Sequence, residues 1–184
     1  MARTDAGDDD VELLRRASRG DQAAAAEFYR RQAQYVWSVV RRFSLDDDEA
    51  MDASQEAFLR IFRGSTFSGK SSLRTWVFRV ATSAAIDLLR SPRGQRHDTL
   101  DATHDHPHLE AEADPALRAR IATAIAQLPV AQREVFVLCE IMDVQHEEVA
   151  AMLGVPIGTS RRRLFDAKAR LRTALAGVMQ EWKR

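Results

Sequence analysis

The 184-residue sequence contains no asparagine, three lysines, one cysteine, eight glycines and five prolines. A single cysteine, Cys139, excludes an internal disulfide and a cysteine-based zinc site. It follows the apolar run Val135-Phe136-Val137-Leu138, which predicts a small buried hydrophobe rather than a reactive thiol. No stretch approaches the ~18 apolar residues that a membrane span needs. Residues Met1 to Asp10 are acidic and polar, without the basic-then-apolar pattern of a secretion signal, so the expected location is cytoplasmic. No run alternates apolar and polar residues long enough to argue a strand, and no period repeats as in a solenoid. The scarcity of lysine beside 24 arginines, like the lack of asparagine, reflects a GC-rich coding sequence and carries no mechanism.

What is present is helix-forming. Alanine is abundant, and apolar residues recur at spacings of three and four, so the expected fold class is all-α. The formal net charge is zero, but the charge is segregated. Residues 1–57 carry a net −5, residues 58–97 a net +7, residues 98–148 a net −8 and residues 149–184 a net +6. Each basic block is suited to a polyanion, and its acidic neighbour to a different partner.

The punctuation divides the chain. Helices are predicted from about Asp10 to Arg19, Gln22 to Phe43 with Asp21 as a cap, Asp46 to Arg63, and Ser71 or Ser72 to Arg90. On the third, Met51, Phe58, Leu59 and Phe62 are expected to face inward. Further helices are predicted from Ala116 to Leu128 after Pro115, Val130 to Met142, His146 to Leu153, and Gly158 to Trp182. The expected organisation is a disordered N-terminus over 1–9, a helical bundle over 10–92, a flexible acidic linker over 93–114, and a second helical domain over 115–184.

The strongest local motif is Glu148-Val149-Ala150-Ala151-Met152-Leu153-Gly154-Val155, followed by Gly158-Thr159-Ser160-Arg161-Arg162-Arg163-Leu164. It has the shape of a helix-turn-helix. Ala150 allows two helices to cross closely, and Gly154 can adopt positive φ at the turn. Val149, Leu153, Val155 and Leu164 would fill the space between the helices. Thr159, Arg161, Arg162 and Arg163 open the second helix, where base edges and phosphates are met. A second constellation lies in residues 47–90. Asp52, Gln55, Glu56 and Arg60 share one helical stripe, and a loop with Phe67 precedes a helix with Trp76, Arg79, Asp87 and Arg90. An aromatic beside basic groups suits single-stranded nucleic acid, because bases stack on rings while arginines hold phosphates.

On these residues the chain resembles the extracytoplasmic-function family of bacterial RNA polymerase sigma factors. The first half resembles sigma region 2 in Asp52-…-Gln55-Glu56-…-Phe58-Leu59-Arg60, Trp76-Val77-Phe78-Arg79-Val80-Ala81 and Asp87-Leu88-Leu89-Arg90. The second half resembles sigma region 4 in Leu128-Pro129-…-Arg133-Glu134-Val135-Phe136, Glu147-Glu148-Val149-Ala150, Gly158-Thr159 and Ala167-Lys168-Ala169-Arg170-Leu171-Arg172. The resemblance implies partners: the β′ clamp helices and β flap of core polymerase, promoter DNA, and an anti-sigma factor. It implies that Asp52, Gln55 and Glu56 contact the clamp. Ser65, Thr66 and Phe67 would capture a flipped minus-10 base. Trp76, Arg79, Ser83 and Arg90 would face minus-10 DNA, and Thr159 with Arg161 to Arg163 the minus-35 element.

Three residues depart from the family pattern. Ser83 stands where Asn is usual, which bears on minus-10 base preference. Arg162 stands where Ser is common. Ser160 replaces the usual Val, which predicts looser packing of the recognition helix. The linker holds His97, His104, His106 and His108, but a flexible segment has no shaped site, so no metal, cofactor or catalytic group is expected. Its acids Asp98, Asp101, Asp105, Glu110, Glu112 and Asp114 would suit the basic RNA exit path through which the family's linker passes.

Overall fold

The structure, a computed structural model, describes residues 5–43, 46–63, 67–91 and 115–176. The linker with its four histidines and six acids, the loop residues Ser65 and Thr66, and the segment beyond residue 176 lie outside the described residues. Eight α-helices run in order among the described residues: α1 Asp5–Ala17, α2 Gln22–Val40, α3 Asp47–Arg63, α4 Leu73–Arg90, α5 Pro115–Ala126, α6 Val130–Phe136, α7 His146–Leu153 and α8 Ile157–Ala174. No strand occurs among them. The contacts divide the chain into two compact units, one of residues 1–40 and 47–87, the other of residues 41–46 and 88–184.

In the first unit, α1 and α2 form a helical hairpin. Gly20 takes φ +92° at its turn. Asp21 caps α2 by accepting from the Ala24 N–H at 3.0 Å, and Arg16 donates to the same carboxylate. The Ala24 N–H first and then Arg16 hold the Asp21 carboxyl below its ordinary value. Farther along the hairpin, Asp10 accepts from Arg31 at 2.9 Å and from Gln32 at 2.7 Å. Helix α1 starts at Asp5, inside the stretch expected to be disordered. Helix α2 stops at Val40, and its last turn tightens into a 3-10 turn over Arg41–Phe43.

Helix α3 buries Ala50, Ala53, Ala57, Phe58 and Ile61. The alanines recur at spacings of three and four, so α3 can approach α2 closely. Phe28 of α2 is fully buried, with its ring edge-on to Phe62 at 5.9 Å, and Phe62 lies 6.1 Å from Phe58. Full burial of one such ring contributes about 1.5–3 kcal/mol. Met51 and Leu59 do not face inward. They are 61% and 39% exposed, because the small residues take the contact with α2 and turn the larger apolar ones outward. Ser72 caps α4 through its hydroxyl, which accepts from the Thr75 N–H at 3.1 Å.

In the second unit, α5, α6 and α8 enclose Ala124, Ile125, Leu128, Ala167 and Leu171. Buried Arg133 donates to the Ala126 carbonyl at 3.1 Å, where the end of α5 leaves an unsatisfied acceptor. The predicted helix over Val130 to Met142 is α-helical only to Phe136. A π-helical turn spans Val137–Ile141, with the Met142 N–H bonded to the Val137 carbonyl at 3.0 Å. Cys139 lies in this turn, half-buried. Burial first, and then Glu140 beside it, pushes its thiol above the ordinary value, so it is no activated thiolate.

Candidate nucleic-acid and polymerase interfaces

The helix-turn-helix expected from sequence is formed by α7 and α8. Gly154 ends α7 at φ +66°, ψ +37°, the left-handed conformation that favours glycine, and its N–H bonds the Ala150 carbonyl. Pro156 then precedes α8, with the Thr159 and Ser160 N–H groups bonded to its carbonyl at 2.9 and 3.1 Å. Val149, Ala150, Leu153 and Leu164 are buried, while Val155 is only half-buried.

Helix α8 divides cleanly by period. Ser160, Leu164, Ala167 and Leu171 are buried at spacings of four, three and four. On the opposite side, Arg161 and Arg162 present side chains that are 64% and 77% exposed. Arg161 is held loosely by Glu147 of α7 at 3.5 Å, and Arg162 by Asp166 at 3.1 Å. Such exposed pairs are worth about 0–1 kcal/mol, so a phosphate or base edge can displace them. Arg163 and Thr159 are half-buried and flank this face. Sequence reasoning missed Phe165, which is 64% exposed one turn beyond Arg161. Its four-residue spacing from Arg161, on a helix already read as DNA-facing, was the available signal.

Of the predicted minus-10 residues, those of α4 fall on one stripe. Arg79, Ser83 and Asp87 are exposed at four-residue spacing, and Trp76 lies one turn before them. The Phe67 ring meets Trp76 edge-on at 5.7 Å, both half-buried, so Phe67, Trp76, Arg79 and Ser83 are brought together. Ser83 also borders α3, where Arg60 donates to its hydroxyl at 3.3 Å, to Asp87 at 2.7 Å and to Glu56 at 2.8 Å. Arg90 continues this stripe three residues beyond Asp87 and falls in the second unit, where it donates to both oxygens of Glu134, at 2.6 and 2.8 Å. The Glu134 side chain is 1% exposed, and a carboxylate so buried requires a charged, bidentate partner.

On α3, Gln55 and Glu56 are exposed and Asp52 is half-buried, all along one stripe. Met51 and Leu59 border it at four residues on either side of Gln55. The acidic stripe therefore carries apolar anchors, a composition suited to a protein partner. Among the described residues, no group of three metal-ligating side chains converges, and no helix is long and apolar enough to cross a membrane.

Comparison with known proteins identifies a family for both halves of the chain. Residues 28–95 match the family described as Sigma-70 region 2, and residues 118–171 match Sigma-70, region 4. The RNA polymerase sigma-H factor of Pseudomonas aeruginosa is 30% identical, over 94% of this chain and 96% of its own. The ECF RNA polymerase sigma-E factor of Escherichia coli is 30% identical, over 86% of this chain and 90% of its own. Among solved structures, CnrH in complex with the cytosolic domain of CnrY aligns with a TM-score of 0.58 at 25% identity, covering 92% of this chain and 98% of that one. With both regions in order, and relatives alike along nearly their whole length, the chain belongs to the extracytoplasmic-function family of RNA polymerase sigma factors.

Proposed function

We propose that this chain binds core RNA polymerase through the α3 face of Asp52, Gln55 and Glu56, with Met51 and Leu59 as apolar anchors, and directs transcription initiation from two-part promoters. Phe67 and Trp76 serve as the aromatic platform for an unstacked minus-10 base, with Arg79 holding the backbone and Ser83 at the base edge. In α8, Arg161 and Arg162 enter the minus-35 major groove, with Thr159, Arg163 and Phe165 around them. The chain itself carries no catalysis in this reading, because nucleotide addition belongs to the polymerase. It works in the cytoplasm, and an anti-sigma factor holds it inactive by covering the same surfaces.

The observation that carries this reading is the presence, in one chain and in this order, of a region 2 with an aromatic and basic α4 stripe and a region 4 ending in an arginine-faced recognition helix. A helix-turn-helix regulator that never touches polymerase would account for the second alone. Run-off transcription separates the two. The full chain is mixed with core polymerase on a pool of duplexes randomised over the minus-35 and minus-10 positions. Discrete run-off products that need the chain are expected, whereas binding without synthesis would favour the plain regulator.

A further inference from the structure

From sequence, Ser160 predicts looser packing of the recognition helix; in the structure its hydroxyl is buried with a partner. Ser160 is fully buried, and its Oγ lies 2.8 Å from Nδ1 of His146. His146 is the first residue of α7 and Ser160 lies in the opening turn of α8, so this hydrogen bond ties the two helices of the helix-turn-helix directly. The same Nδ1 lies 3.6 Å from Cys139 Sγ in the π-helical turn.

We infer that His146 is a positioning residue for promoter recognition: through Ser160 it sets the orientation of α8 and so aims Arg161 and Arg162 at DNA. The turn at Gly154 fixes where α8 starts, and the buried Leu164, Ala167 and Leu171 hold its body. The His146–Ser160 bond is the polar tie in its opening turn, beside the arginines. Residue 146 is eight residues before Gly154, about 12 Å along the helix at 1.5 Å per residue. Ser160 immediately precedes Arg161, so any rotation that breaks the bond moves the arginines with it. A buried hydroxyl without its partner is costly, whereas an apolar pair of similar shape in the same place is nearly neutral. The two residues thus form an interdependent pair: His requires Ser, as an apolar residue at 146 would require Val at 160.

The inference rests on the DNA-binding reading of α8, and the test keeps the two separate. Holoenzyme is assembled from the full chain and core polymerase, and the probe is the promoter duplex that the parent holoenzyme selects from a randomised pool. His146→Phe and Ser160→Val are each measured alone and combined, below the melting temperature of all variants, with core binding checked by pull-down. Each single variant is expected to weaken duplex binding about tenfold and to lower the slope of log affinity against log salt. The double variant, with an apolar pair restored, is expected to return to within about twofold of the parent in both affinity and slope. A residue that only stabilised the fold would change melting temperature and leave the affinity and slope of the folded protein unmoved. Parent-like binding by the single variants overturns the inference, as does a double variant no better than the singles. Failure of the parent to select any site would instead overturn the DNA reading itself.

Discussion

Removing Arg161 and Arg162 together tests the recognition face most directly. Both side chains are largely exposed, and each has one weak acidic partner. Their loss should therefore change the folding stability of the chain by no more than ~0.5 kcal/mol each. The effect on DNA is different in kind. Each phosphate neutralised in duplex DNA contributes about −0.9 to the slope of log affinity against log salt. If both arginines meet phosphates, Arg161→Ala with Arg162→Ala should flatten the slope by about 1.8. Between 50 and 200 mM salt, this difference amounts to roughly a twelvefold change in the ratio of parent to variant affinity. Glu147→Gln works in the opposite direction. It frees Arg161 from a pair worth at most ~1 kcal/mol, so binding should tighten by up to about fivefold at low salt. Arg163→Ala, at a half-buried flank, should weaken binding less than either exposed arginine. The assay is equilibrium binding of holoenzyme to its selected promoter across a salt series, with single-base variants of the minus-35 element alongside. An arginine on a base edge would leave the slope but relax specificity at one position. If the double variant changes neither slope nor specificity, α8 does not read DNA with this face.

Two further outcomes are expected. Met51→Ser, Gln55→Arg and Leu59→Ser, combined on the exposed face of α3, should leave the melting temperature within a few degrees of the parent and abolish retention by core polymerase in a pull-down. Normal retention would remove α3 from the interface. Gly154→Val should destabilise the second unit by about 1–2 kcal/mol, read as a lower urea midpoint, because a β-branched residue is strained at φ +66° even though open space surrounds the site.

Much of the helical layout was legible in the sequence because it rests on local chemistry. The 3.6-residue period, Asp21 and Ser72 as caps, and Gly154 at the turn each act within a few residues of themselves, and each does in the structure what its chemistry dictates. The two motif sets were legible for the same reason. The arginine face of α8 follows from its own period once Leu164, Ala167 and Leu171 are assigned inward. Only the tertiary structure decided which apolar residues are core. Met51 and Leu59 are as hydrophobic as their buried neighbours, but close packing of α3 selects the alanine stripe and leaves them outside. Long-range polar partnerships were equally out of reach. Arg90 reads as a DNA contact by its place in a motif, and only the fold reveals that it is also paired with Glu134, 44 positions away, because a buried carboxylate needs a cation. Ser160 reads as a packing defect until His146, 14 positions earlier, is seen to satisfy it. Period and capping are properties of one segment, whereas burial and hydrogen-bond pairing are properties of two segments meeting, and only the folded chain brings them together.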